Sequence, residues 1–289
     1  MTSHTKALRP KIIVFGNEKG GSGKSTTAFQ VVIGLLRQGH RVGTLDLDAR
    51  QGTLSRYLTN REAYSNRNGQ SNLENLGGLP MPVHAALLPS PLNDGAEALE
   101  ADRTALEDTL ATFDGLEFLI VDTPGNDTRL SRMAHARADV LVTPINDSFV
   151  DFDMLARVDP VTKKVLGPSV YAELVWDRRK ERAMARGAPI DWIVMRNRLG
   201  HSEARNKREM GEALNELAKR IGFRVAPGFG ERVIFRELFL SGLTLFDLGS
   251  AAGGPPLAMS HVAGRQEART LIDTILAGPA RREASASIS

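Results

Sequence analysis

Short apolar runs recur along the chain, each closed by a glycine or a polar stretch. They are KIIVFG (Lys11 to Gly16), RVGTLDLDAR (Arg41 to Arg50), LEFLIVDTPG (Leu116 to Gly125), DVLVTPIND (Asp139 to Asp147), IDWIVMRNR (Ile190 to Arg198) and FRVAP (Phe223 to Pro227). Runs of this length without strict alternation predict strands buried on both faces, as in parallel sheets. Between the first two lies AFQVVIGLLRQG (Ala28 to Gly39), apolar on nearly every side. It predicts a helix packed on the sheet and stopped at Gly39. Met210, Leu214, Leu217 and Ile221 recur at helical spacing, Leu106, Leu110 and Phe113 mark a short helix, and Gln266 to Leu276 reads as a last one. Strands alternating with helices predict an α/β fold, a doubly wound and mostly parallel sheet flanked by helices. Its parallel crossovers are expected to be right-handed.

Tyr57 to Ala101 breaks the pattern. It is rich in Asn, Gly, Ser and Pro and has little periodicity, so it predicts a loop-rich insert of surface loops and short helices. The expected organisation is one domain over residues 10–277, followed by a small polar tail, residues 278–289, expected to be disordered.

Composition narrows the chemistry. The chain has 289 residues and a net charge of only +3, so an anionic partner has to be met by a local patch. There is no cysteine. That excludes disulfides, thiolate zinc sites and cysteine-held iron–sulfur clusters, and it fits a cytoplasmic protein. The opening MTSHTKALRP is too polar for a signal peptide, and no apolar run reaches membrane-spanning length.

The stretch NEKGGSGKST (Asn17 to Thr26) follows the first predicted strand and opens the first predicted helix. That is the setting of a phosphate-binding loop, whose usual pattern is G-x-x-x-x-G-K-[ST]. Gly20, Gly21 and Gly23 let the backbone N–H groups of Gly20 to Thr26, Ser22 among them, surround the phosphates of ATP. The helix beginning near Lys24 adds its positive end. Lys24 is placed to bridge the β- and γ-phosphates, the Ser25 hydroxyl to bind Mg²⁺, and Thr26 to meet the α-phosphate. Two features depart from the pattern. Glu18 occupies the first glycine position, and a second lysine, Lys19, sits against the glycines.

Acids close two of the buried strands. Asp122 ends FLIVD and Asp46 ends the preceding run, and an acid there holds Mg²⁺ directly or through water. The ordinary alternative for either is a helix cap or turn former. Asp48 shares a face with Asp46 but lies further out. It is the candidate to orient or deprotonate the attacking water, against the alternative of a solvated loop aspartate.

KGGSGKST resembles the deviant Walker A motif of the ParA/MinD group of P-loop ATPases, in which the first glycine is often replaced. LDLDARQ is similar to that group's switch I, and IVDTPG to its Walker B and switch II. The resemblance implies that Lys19 crosses a nucleotide-sandwich homodimer and contacts the ATP of the other subunit; the alternative is a lysine that helps bind its own nucleotide or is merely exposed. A cation acting on a water-excluded triphosphate in this way acts as an arginine finger does. In the group an asparagine after a late strand hydrogen-bonds adenine. Asn197 matches that position, and Pro227 is expected to line the ring, with turn chemistry as the alternative for both. Within the group, GNEKGGSGKST, VTPINDSFVDFDML, RNRL, EARN and RVIFRELF are similar to the MipZ family, from Lys11 to Leu248. That resemblance implies a cycle. An apo or ADP-bound monomer meets the partitioning protein ParB. An ATP-bound dimer binds DNA nonspecifically, associates with the nucleoid and inhibits assembly of the division protein FtsZ. Slow hydrolysis resets the monomer.

The candidate DNA contacts are Arg196, Arg198, Arg205, Lys207 and Arg208, followed by Lys219, Arg220 and Arg224. Cations at the start of a helix oppose its dipole by roughly 0.3–1 kcal/mol each, so another anion is expected to favour them. No aromatic interleaves with Arg196 to Arg208, which fits contact to a duplex backbone better than base stacking. A solvated helix face is the alternative. Arg178, Arg179, Lys180 and Arg182 form a weaker candidate cluster. A ParA-type partitioning ATPase is the nearest competing reading. A membrane-binding ATPase of the MinD type is disfavoured because ARREASASIS carries no apolar helical face, so no membrane partner is expected.

Overall fold

The computed structural model describes residues 9–69, 79–93, 95–159, 165–199, 204–249 and 258–279. In chain order its elements are β1 (Lys11–Phe15), α1 (Lys24–Arg37), β2 (Val42–Asp46), α2 (Thr53–Gly69), β3 (Val83–Ala86), α3 (Ala96–Ala111), β4 (Phe118–Asp122), α4 (Arg129–Arg137), β5 (Val140–Asn146), α5 (Phe149–Phe152), β6 (Ala156–Val158), β7 (Val165–Pro168), α6 (Val170–Arg186), β8 (Asp191–Asn197), α7 (Ala204–Ile221), β9 (Arg224–Ala226), α8 (Ile234–Ser241) and α9 (Met259–Ala277).

All six sequence-predicted strands form. With β3 they make a seven-stranded sheet in the order β3-β2-β4-β1-β5-β8-β9. Each neighbouring pair in it is parallel. Strand alternation sends Ile12 and Val14 into one core and Ile13 and Phe15 into the other. The first core is closed by Leu106 of α3, Leu130 of α4, Tyr171 of α6 and Leu214 of α7. The second is closed by α1 and by Leu271, Ile272 and Ile275 of α9. Burial on both faces is why these strands read as unbroken apolar runs. β6 and β7 form a separate antiparallel pair.

The segment from Tyr57 to Ala101 differs from its expectation. It carries most of a 17-residue helix, α2, and a strand of the main sheet, rather than loops and short helices. The reason is visible in α2. Its buried positions, Leu54, Tyr57, Leu58 and Arg61, do follow helical spacing, but the last is a charged residue and the rest of the helix is polar. β3 is an edge strand with largely exposed side chains, so it leaves no apolar run. Part of this segment, residues 70–78 and 94, lies outside the described residues, as do residues 280–289 of the polar tail.

Arg61 is fully buried and ties α2 to the segment after α8. Its guanidinium donates to Asp247 Oδ2 and Oδ1 at 2.8 and 3.0 Å, to the Gly242 carbonyl at 3.0 Å and to the Pro80 carbonyl at 3.0 Å. Asp247 also accepts from Arg37 at 2.7 Å and from the Thr244 N–H and hydroxyl at 2.8 Å each. Burial alone would raise the Asp247 pKa, but the two guanidiniums and the Thr244 N–H hold it below the ordinary aspartate value. The carboxylate form is therefore bound more tightly in the folded chain. Its contribution is present above the unfolded value near 4 and is lost as pH falls through the lower folded value. Asp247→Asn leaves Arg61 buried without its counter-charge, so it is expected to cost about 3–5 kcal/mol in urea unfolding at pH 7. The penalty should shrink as the pH is lowered. An unchanged midpoint at pH 7 would contradict this account.

Candidate nucleotide site

Because the sheet is parallel, the loops after β1, β2, β4, β5 and β8 all emerge at one edge, where open α/β sheets hold ligands. The loop after β1 turns into α1 through Gly21 at φ +74° and Gly23 at φ +87°, backbone that side chains rarely adopt. Close approach restricts the loop as well. A Cβ on Gly23 would sit 1.9 Å from Asn197 Nδ2, and one on Gly125 would sit 2.8 Å from the Gly20 Cα. Asn197, fixed at the end of β8, donates to the Ser22 carbonyl at 2.8 Å. Asn17 is buried and acts as a staple. Its Nδ2 donates to the Pro144 carbonyl at 2.5 Å, and its Oδ1 accepts from the Lys19 N–H at 2.6 Å. Sequence reasoning missed this role, because its partner on β5 lies 127 positions away.

Strand register brings the acids together. Asp46 and Asp122 are direct neighbours across β2 and β4, and Phe15 lies beside Asp122 on β1. Both acids are fully buried. Their surroundings differ. Asp46 Oδ1 accepts from the Asp48 N–H at 3.0 Å, and Oδ2 accepts from the Ser55 N–H at 3.0 Å and the Ser55 hydroxyl at 2.7 Å. Asp46 thus ties down the start of α2. Neither oxygen of Asp122 has a hydrogen-bond partner. Burial pushes the Asp122 pKa up. The Ser25 hydroxyl, which approaches without completing a hydrogen bond, and the Lys24 ammonium hold it down in part, while Asp46 and Asp48 add to the rise.

A buried carboxylate with both oxygens free and a hydroxyl beside it is what a hard divalent cation takes. Among the described residues no cluster of three or more acidic, histidine or cysteine side chains stands ready to hold a metal alone. The remaining ligands would be phosphate oxygens and water. Lys24 is buried, and burial lowers its ammonium pKa against the opposing pull of Asp122 and Asp48. Its Nζ donates to the Lys19 carbonyl at 3.2 Å, across the mouth of the loop. Asp48 is half-buried. Burial and Asp46 raise its pKa, while a bond from the Gln51 backbone and the Lys24 charge lower it.

Lys19 is paired within its own chain. Its Nζ donates to Asp151 Oδ1 in a short ion pair in which the lysine is 41% exposed and the aspartate 3%. Asp151 is held in turn by the Asn146 N–H at 2.9 Å and the Ser148 hydroxyl at 3.4 Å. Glu18 lies near Asp127 and Arg132. Burial and then Asp127 raise its pKa, and Arg132 opposes them.

Beside Gly23 and Thr26 opens a cavity of about 390 Å³, walled by Tyr57, Asn197, Phe229 and Phe235. Tyr57 stacks on Phe29 at 4.4 Å and its hydroxyl donates to Thr26 Oγ1 at 3.3 Å. These walls suit a flat aromatic base. Pro227, expected to line such a ring, is exposed and lies outside the cavity walls. The aromatic walls were missed because Tyr57 and Phe235 belong to distant segments.

The candidate DNA contacts separate into two sets. Arg196 pairs with Asp147. Arg224 pairs with Asp191 and donates to the Thr274 carbonyl at 2.9 Å. Arg220 pairs with Glu216 at 2.6 Å, and Arg208 lies 3.9 Å from Glu212. Arg198, at φ +52°, and Lys219 are exposed. Arg205 and Lys207 belong to α7, but their side chains lie outside what is described. Arg208 and Lys219 stand roughly 16 Å apart along the helix by its 1.5 Å rise. The eight residues therefore spread over both ends of α7 and do not form one compact patch. In the weaker cluster, Arg182 pairs with Asp139, Arg178 with Glu181 and Lys180 with Asp177, and Arg179 donates to the Ile190 and Ile221 carbonyls.

A glycine loop between a buried parallel strand and a helix, with a strand-end aspartate beside it, is the arrangement of a P-loop nucleotide site. The structure of a Cyanothece McdA–ATP complex shares the fold at TM-score 0.60 and 18% identity, over 93% of this chain and 97% of that one. The Aquifex aeolicus MinC:MinD cell division protein complex shares it at TM-score 0.54 and 16% identity, over 92% and 96%. The family model for ATPase MipZ matches residues 11–277, and the chain belongs to that family. The chromosome-partitioning ATPase Soj of Thermus thermophilus is 33% identical over 157 residues, 52% of this chain. The match spans 61% of that relative's length. Among the described residues no helix is long and apolar enough to cross a membrane.

The contact between Gly125 and Gly20 is backbone against backbone, so it cannot be relieved by a side-chain rotation. Gly125→Ala is expected to displace the loop and weaken ATP binding at least about tenfold, the equivalent of about 1.4 kcal/mol. Equilibrium titration with a fluorescent ATP analogue checks this. Wild-type affinity in the variant would show that the loop does not depend on that approach.

Proposed function

We propose that the chain is a slow ATPase that works as an ATP-controlled dimerisation switch. Lys19 carries the reading: it is a second loop lysine, half-exposed and held by Asp151 of its own chain rather than turned toward its own phosphate loop. On this reading Lys19 exchanges Asp151 for the triphosphate held by a second subunit. Loss of the γ-phosphate weakens that attraction and the subunits part.

The residues divide the work. Backbone N–H groups from Gly20 to Thr26 surround the phosphates, and Lys24 meets the β- and γ-oxygens. Ser25 and Asp122 would hold Mg²⁺, with Asp46 beside them; bound there, the ion neutralises charge on the phosphate oxygens. Asp48 orients the attacking water and takes its proton. Asn197, Tyr57 and Phe235 hold the base. As a dimer the protein binds duplex DNA without reading its sequence, through Arg198, Arg208, Lys219 and the α7 residues around them. On this reading it is cytoplasmic and nucleoid-associated, meets a ParB-like protein as a monomer, and inhibits an FtsZ-like protein as a dimer. Membership of the MipZ family supports the division role. A ParA-type partitioning role is the second reading, favoured by the likeness to Soj.

Asp48→Ala tests the assignment. With ATP present the variant should bind duplex DNA as the wild type does, with a steep salt dependence of about −0.9 per phosphate contacted. Its turnover should fall at least about 100-fold. Loss of ATP binding in the variant, or a flat salt response in both proteins, would contradict the proposal.

A further inference from the structure

One chain of side chains leads from the open edge of the sheet into the phosphate site. His84 lies on the edge strand β3, opposite Thr44 of β2. Its Nδ1 is 2.9 Å from the Thr44 hydroxyl, and its Nε2 is 3.1 Å from the Ser55 hydroxyl. Ser55 is 2.7 Å from Asp46 Oδ2 through that same hydroxyl. The other oxygen of Asp46 holds the N–H of Asp48 at 3.0 Å.

Proton accounting gives this chain a direction. Asp46 Oδ2 accepts from both the Ser55 N–H and the Ser55 hydroxyl, so the single Ser55 hydroxyl proton goes to Asp46. The Ser55 oxygen then faces His84 as an acceptor, which places the imidazole proton on Nε2. The bare Nδ1, at 2.9 Å, accepts from the Thr44 hydroxyl, whose other acceptor, the Val83 carbonyl, lies further off at 3.4 Å. Every group in the series is satisfied in that one arrangement, with a neutral ring. His84 is exposed at the sheet edge, but the part of its ring packed against β2 and α2 is desolvated; this lowers its pKa against the opposing effects of Asp46 and the Thr44 backbone, in keeping with a neutral ring at pH 7.

We propose that His84 and Ser55 are positioning residues for ATP hydrolysis: His84 directs the Ser55 proton onto Asp46, and Asp46 so held fixes the backbone of Asp48 at the reacting phosphate. This rests on the hydrolytic reading above. Neither residue touches nucleotide. Without the His84 donor the Ser55 hydroxyl is free to turn away, and Asp46 loses its shortest restraint. The loop of Asp48 then keeps its fold but not its aim.

Four proteins test this beside the wild type: Ser55→Ala, His84→Phe, His84→Gln and the double variant Ser55→Ala/His84→Phe. Ser55→Ala and His84→Phe should each lower kcat about tenfold, in the range usual for outer-shell partners, with ATP affinity unchanged. His84→Gln, whose amide can supply the same N–H, should recover most of the rate. The double variant should be no slower than either single one, because both break the same chain. The second readout needs no turnover. Spectra of ¹⁵N-histidine-labelled protein at pH 7 should show His84 protonated at Nε2, with a signal that moves in Ser55→Ala. A proton on Nδ1, additive losses in the double variant, or wild-type kcat in both single variants would overturn the proposal. A wild type that does not turn over ATP would instead defeat the hydrolytic reading, and the histidine spectra would still decide the proton chain.

Discussion

The parallel register of β1, β4 and β2 is the constraint on which the site depends. It sets Phe15, Asp122 and Asp46 side by side at one sheet edge, so the phosphate loop starts where the acids end. Hydrogen bonds along three strands hold that edge, and both layers of helices pack against it. The loop has little latitude of its own. Gly125 closes it from one side and Asn197 from the other, each at a distance that excludes a side-chain carbon.

Within that frame the charges are left incomplete. Asp122 is buried with neither oxygen bonded, and Lys24 reaches only a backbone carbonyl. Desolvation disfavours both charged forms; phosphate oxygens would relieve Lys24, and a cation bound to them would relieve Asp122. Lys19 presents the opposite case. It has a buried counter-ion in Asp151 and is half-exposed, so a second triphosphate has to outbid a local partner. On the proposed reading, this competition is what ties association to the third phosphate rather than to nucleotide in general.

Much of this was legible in the sequence. Six apolar runs became six strands because a strand buried on both faces has few other compositions available. The loop, its lysines and Asp122 were legible for a similar reason, since phosphate chemistry at a strand end tolerates few residue types. What the sequence hid depends on long-range neighbours. β3 and α2 bury little apolar surface, so periodicity passes over them. Asp151 was inside a quoted motif, yet nothing local pairs it with Lys19 across 132 positions. Asp46 reads as a metal ligand or as a cap and turn former in one dimension, and its bonds to Ser55 at the start of α2 appear only in three. The ion pairs of the basic residues were also hidden. Lys219, Arg220 and Arg224 were placed further along the helix from Arg196 to Arg208 and just beyond it, and Arg196 and Arg224 are paired with Asp147 and Asp191.

The central claim is that Lys19 makes association depend on ATP. Light scattering with ADP and with a slowly hydrolysed ATP analogue tests it most directly, on the wild type and on Lys19→Ala. The account predicts a monomer with ADP, twice that mass with the analogue, and a monomer in both states for the variant. A wild type whose mass ignores the nucleotide, or a Lys19→Ala protein that still doubles with the analogue, would contradict it.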